Sequence, residues 1–145
     1  MGNPSKWLMA ILCVMAFGIG ATGTAVSADD EGGGGIDRHG MVNDMPLPTD
    51  AAALENGKER FGARCSYCHT PLGRGGSSGV CLACQKYKHD SKSSGMYGII
   101  AGGIPGTKMG SFASSLSQEE MVNIIAYIRT LQERKIQDDL KAAKE

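Results

Sequence analysis

Arg64-Cys65-Ser66-Tyr67-Cys68-His69 carries two thiols three positions apart and an imidazole directly after the second. This C-x-x-C-H spacing is the arrangement for covalent attachment of a c-type haem. Each thiol can add across one vinyl group of the porphyrin, and the His after the second Cys is then placed to ligate the iron. A disulfide or zinc knuckle beside an incidental His is the competing reading, and it leaves the export-like N-terminus and a second iron ligand downstream unexplained. The motif marks Cys65 and Cys68 as attachment points and His69 as an axial ligand.

The rest of the chain is limited by its size. Its 145 residues, with 15 basic and 15 acidic side chains, suit one small domain, and aromatics make up only 6%. A haem is a large apolar body, so a helical shell around it needs less side-chain core than an unliganded domain of this length.

Residues 1–28 read as a signal peptide. Lys6 gives a basic start, Trp7 to Gly20 is mostly apolar, and Val26-Ser27-Ala28 offers small residues ahead of Asp29-Asp30. Cleavage is expected after Ala28, with no membrane span left afterwards. A retained anchor is the competing reading, although the apolar run is short and diluted by Gly18, Gly20 and Gly23. Leu12 before Cys13 does not suggest a lipoprotein. Export to the periplasm agrees with haem attachment and leaves four cysteines in the mature chain.

Residues 29–49, with Gly32 to Gly35, Gly40, Pro46 and Pro48, show neither helical nor strand period and read as a flexible arm. Ile36, Met41, Val42, Met45 and Leu47 are candidates to lie across the domain surface. His39 is read as a solvated loop side chain, with metal or haem ligation the alternative.

A helical pattern begins at Thr49 or Asp50, either of which can cap it, and Leu54, Lys58, Phe61 and Cys65 carry one face into the motif. Gly57 costs a helix about 1 kcal/mol relative to Ala, so it predicts a second helix crossing there at close range. The partner is the closing helix. Ser117 and Glu120 form a capping box, Leu116 and Met121 a hydrophobic staple, and Met121, Ile124, Ile125, Ile128 and Leu131 an apolar stripe. Tyr127 beside the stripe is the candidate to pack on Gly57. The domain is bounded at residues 50–134, with 135–145 a charged helical extension.

The order Gly57, Phe61, Cys65-x-x-Cys68-His69, Met109 and Tyr127 resembles class I cytochromes c over residues 50–134. The resemblance implies an all-α fold in which N- and C-terminal helices cross around one covalent haem, with a loop Met as sixth iron ligand. The second pair, Cys81 and Cys84, and the run Gly103-Ile104-Pro105-Gly106-Thr107-Lys108-Met109 are similar to the four-cysteine cytochromes c of methanol-oxidising bacteria. That resemblance implies a PQQ-dependent methanol or alcohol dehydrogenase upstream, and another cytochrome or a terminal oxidase downstream. Gly79-Val80-Cys81-Leu82 resembles the family's Gly-Pro-x-Leu segment, whose Pro carbonyl holds the haem His; Val80 takes that slot here. Gly110 stands where the family often has Pro after the ligand Met.

The residues themselves also favour Met109 as the second ligand. Met121 belongs to the helix stripe and Met41 and Met45 to the arm, whereas Met109 lies in a Gly/Pro-rich loop able to approach a porphyrin closely. Met96 or an open sixth position are the alternatives. Gln85 follows Cys84, so a second covalent haem is not expected there; a disulfide is favoured over zinc held with His89 or a thioredoxin-like couple.

Charge is unevenly spread. Asp29–Glu59 holds eight acids and two bases, while Arg60–Gly110 holds seven bases and one acid. Arg64, Arg74, Lys86, Lys88, Lys92 and Lys108 are candidates to ring the haem edge and steer it to an acidic partner, against the reading of an ordinary solvated surface. Nothing supports nucleic-acid binding. The expected function is single-electron transfer, not enzymatic turnover. A carrier between quinol-cytochrome c reductase and a terminal oxidase is the alternative in the same class, and a haem peroxidase or gas sensor the alternative from another.

Overall fold

The computed structural model describes residues 35–36, 42–84 and 88–145. The readings made on residues 1–28, on His39 and Met41, and on Lys86 lie outside these.

Helix α1, Ala51–Arg64, starts where expected: the Asp50 carboxylate accepts from the backbone N–H of Ala53 at 2.9 Å. Its last turn passes directly into the one-turn helix α2, Ser66–His69, through the Cys65 N–H bonded to Phe61 O at 2.9 Å and the His69 N–H bonded to Cys65 O at 3.0 Å. The haem motif is thereby fixed to the end of a rigid element. Gly57 and Phe61 are buried on α1, with Leu54 and Cys65 half-buried beside them. Lys58 was expected on this face and is exposed instead, paired with Glu55 at 2.8 Å. The 3.6-residue turn that buries Gly57 and Phe61 rotates Lys58 outward, and a cation there has no reason to leave water.

Helix α4, Gln118–Ala142, opens with the expected capping box: Glu120 N–H donates to Ser117 Oγ at 3.1 Å, and Ser117 N–H to Glu120 Oε2 at 2.8 Å. Leu116 and Met121 are both buried at this end, and Ile124, Ile125, Ile128 and Leu131 continue the core along the helix. α4 crosses α1 at Gly57, where an added Cβ would overlap the carbonyl of Asn123. Glycine is required here because one backbone lies directly on another. Tyr127 packs beside the crossing, its ring edge-on to Phe61 at 5.5 Å between centroids and 61° between planes. Beyond Gln132 the helix runs on, exposed and charged, to Ala142.

A third long element, α3 at Ser93–Gly102, was not anticipated. Its sequence holds Gly95, Gly98 and Gly102, and Lys92 at its N-cap position makes no side-chain capping bond. The cap comes from the preceding segment: Asp44 accepts from the Ser94 N–H at 2.9 Å and from the Ser94 hydroxyl. Next to Asp44, a two-residue antiparallel pairing joins β1, Gly35–Ile36, to β2, Val42–Asn43. Leu47 packs against the core, so part of the expected flexible arm is fastened to the domain. Apart from that pairing the described fold is all-α, as expected, and none of its helices is long and apolar enough to cross a membrane.

Candidate haem site

A cavity of about 280 Å³ opens between the haem motif, α3 and α4. Cys65, Cys68, His69, Met96 and Met109 all line it, against apolar walls that include Ile100, Ile104, Ile124 and Ile128. Residues far apart in sequence therefore present two thiols, an imidazole and two thioethers to one apolar space.

His69 is oriented by the loop after α2. Its Nδ1 lies 2.8 Å from the carbonyl oxygen of Val80. A carbonyl only accepts, so Nδ1 carries the proton and Nε2 is left with its lone pair for a metal. Gly79 makes this approach sterically feasible, since a Cβ there would sit 2.5 Å from Cys68 O and 3.0 Å from His69 Nδ1. The loop is pinned by Leu82 and Ala83 N–H groups that both donate to Gly73 O, at 2.7 and 2.8 Å. Cys81 and Cys84 are joined as a disulfide across the same loop. With both sulfurs in that bond there is no thiolate for zinc, and no group of three or more His, Cys, Asp or Glu is placed to hold a metal among the described residues.

Cys65 and Cys68 are free, and burial, with a smaller contribution from Cys68, pushes the Cys65 thiol up to about 11. The donor set, the apolar walls and the tautomer of His69 all fit a c-type haem.

Met109 and Met96 reach the cavity differently. Met96 is a buried core side chain of α3. Met109 is half-buried in a loop held open by its own hydrogen bonds: Ile104 N–H to Met109 O at 2.8 Å, Met109 N–H to Thr107 Oγ1 at 3.1 Å, and Thr107 Oγ1 to Ile104 O at 2.8 Å. Gly103 adopts φ +75° where its backbone lies against Met109 and Gly110, the conformation glycine supplies without strain.

Of the six basic residues expected around the haem edge, Arg64, Lys88 and Lys108 line the cavity. Arg74 does not; it pairs with Asp138 of α4 at 2.6 Å. Lys92 is exposed at the start of α3 and also lies off the cavity lining. His89 and Asp90 line the cavity next to Lys88 without having been expected there. The sequence reading also missed a buried polar set, Ser93, Arg129 and Gln132: the last two sit beside an otherwise apolar stripe of α4, and Ser93 lies on α3, distant in sequence.

Residues 52–128, just over half of the chain, match the family described as cytochrome c oxidase, cbb3-type, subunit III. Among solved structures, the cytochrome cL of the marine methylotrophic bacterium Methylophaga aminisulfidivorans MPT is 28% identical, with a TM-score of 0.50 over 57% of this chain and 55% of that one. The cytochrome cL of Hyphomicrobium denitrificans is 31% identical, with a TM-score of 0.51 over 55% of this chain and 47% of that one. The chain thus spans about half the length of the solved structures it matches. No curated protein matches it.

Proposed function

The chain belongs to the cytochrome c family described by that oxidase-subunit model, an electron-transfer family with covalently bound haem c, and from this premise we propose a periplasmic carrier that takes single electrons from a PQQ-dependent methanol or alcohol dehydrogenase. The observation that carries the proposal is the convergence of Cys65, Cys68, His69 and Met109 on one apolar cavity. Cys65 and Cys68 would hold the haem covalently, and His69, through Nε2, and Met109, through its thioether, would hold its iron. When bound, the haem would supply the one-electron couple, and ligation by a thioether as well as an imidazole would raise its potential. The walls of Ile100, Ile104, Ile124 and Ile128 would limit water around the bound group. Met109, were it to hold the iron together with His69, would leave no position on the metal for a substrate.

The dehydrogenase assignment is supported by the likeness to two cytochromes cL, one from a methylotroph, and by the basic side chains at the cavity. Arg64, Lys88 and Lys108 present positive charge to an acidic donor and raise the encounter rate. The family model's description names a terminal oxidase subunit, which favours the reading that electrons pass onward to an oxidase, directly or through another cytochrome.

Stopped-flow reduction of the purified ferric protein tests the proposal. A PQQ-dependent methanol dehydrogenase should reduce it at a rate that rises with donor concentration and falls with salt. Reduction only by a quinol-cytochrome c reductase would replace the donor and leave the carrier function in place.

A further inference from the structure

We infer that Gln132 is a positioning residue for the proximal ligand, setting the hydrogen bond at His69 through the Val80–Leu82 loop. The inference rests on the reading of His69 as an iron ligand and goes beyond it, to what fixes the electron-donating strength of that imidazole.

Gln132 is 0% exposed, in the turn of α4 at the end of the apolar stripe. Its Nε2 donates to Leu82 O at 2.9 Å, and its Oε1 accepts from Arg129 Nη1 at 3.0 Å. Leu82 stands two residues after Val80, whose carbonyl accepts from His69 Nδ1. The loop's own bonds run from Leu82 and Ala83 to Gly73, from Gly75 to His69 and from Gly76 to Gly79, and with the Cys81–Cys84 disulfide they fix its shape. Its side-chain ties to α4 are different in kind. Arg74–Asp138 is half-exposed, and pairs of that sort contribute little; the amide of Gln132 is dry.

Arg129 extends the same network to the other side of the cavity. It is 7% exposed and donates through Nη2 to Ser91 O at 2.8 Å and Ser93 Oγ at 2.9 Å, where α3 begins. α3 then carries Met96, Ile99 and Ile100 along the cavity wall. One polar pair on α4 therefore holds both the loop above His69 and the helix opposite it. A fully apolar residue at position 132 would take this partner from the Leu82 carbonyl and the Arg129 guanidinium, so the amide ties the two elements together. With Leu82 released, Val80 O is held less firmly, His69 Nδ1–H donates less strongly, the imidazole gives less electron density to iron, and the ferrous state gains.

Full-length holoprotein variants Gln132→Glu and Gln132→Met test this. The Glu carboxylate still accepts from Arg129 but has no N–H for Leu82; Met has neither function at similar volume. Both should keep covalent haem and the six-coordinate spectrum and speed solvent exchange of the His69 Nδ1 proton in the reduced protein by about tenfold, and Gln132→Met, which adds no charge, should shift the midpoint potential positive. Unchanged potential and exchange with only a lower melting temperature would overturn the inference and leave Gln132 as core packing. If either variant fails to fold, the wild type still decides: fast exchange of the Gln132 side-chain amide protons would overturn it as well. Absence of covalent haem from the wild type would instead remove the functional reading of the site.

Discussion

Nδ1 of His69 lies 2.8 Å from the carbonyl oxygen of Val80, eleven residues downstream, and this contact decides which nitrogen of the ring faces the cavity. The chain has no Pro at position 80, so its carbonyl is placed by other means: Gly79 allows the close approach, and the Cys81–Cys84 disulfide constrains the next turn of the loop. Gly79→Ala should therefore push Val80 away from His69. Holoprotein yield should fall, and denaturant titration of the holoprotein that survives should show a stability loss typical of overpacking, about 1–3 kcal/mol.

The two thiols lead to the simplest chemical prediction. Thioether bonds at Cys65 and Cys68 should keep the haem on denatured protein through acid-acetone extraction. Cys65→Ala or Cys68→Ala should leave a single bond, and the double variant should lose the haem to the organic layer.

Met109→Ala should abolish the sulfur-to-iron charge-transfer band of the ferric protein and lower its potential, since the thioether raises it. Met96→Leu should leave band and potential almost unchanged, because Met96 is a core side chain of α3 and Leu is close in volume. The reverse pattern would transfer the ligand role to Met96.

Asp44 gives a pH signature. Its hydrogen bonds to Ser94 hold its carboxyl below the usual carboxylate range. A group with a depressed folded pKa stabilises above its unfolded value, about 3.9, and that contribution is lost as pH falls through the folded value. Asp44→Ala should thus lower the melting temperature at neutral pH, and the gap to wild type should close as pH drops below about 4. A gap that stays constant down to acid pH would mean that Asp44 does not act as the charged cap of α3.

Lys88 and Lys108 line the cavity, so Lys88→Glu with Lys108→Glu should slow reduction by an acidic dehydrogenase by on the order of tenfold at low salt, with little change in spectrum. Wild-type and variant rates should converge as salt screens the charges. Equal rates at low salt would move the docking surface elsewhere, for instance to Tyr67, which is 96% exposed between the two haem cysteines.

The features legible in the sequence were local ones. The Asp50 cap and the Ser117–Glu120 box each act within one turn of helix, and each is formed as expected. The crossing of α1 and α4 could be inferred because only a second backbone explains a buried mid-helix glycine. α3 escaped notice because its cap is Asp44, fifty positions upstream, and three glycines hide its period. The Arg129–Gln132 network escaped for a similar reason: its partners, Leu82, Ser91 and Ser93, are distant in sequence, and polar residues beside an apolar stripe read as solvent-facing. Arg74 was read as a docking cation, and its pairing with Asp138 spans 64 positions.

The central claim is that this protein carries single electrons on a haem whose iron is closed by His69 and Met109. The most direct test is to expose the purified ferrous protein to carbon monoxide and follow its absorption spectrum. No carbon monoxide adduct should form at neutral pH, and the same sample should titrate reversibly with one electron. Rapid formation of the adduct would show an open iron and contradict the account, pointing instead to a peroxidase or a gas sensor.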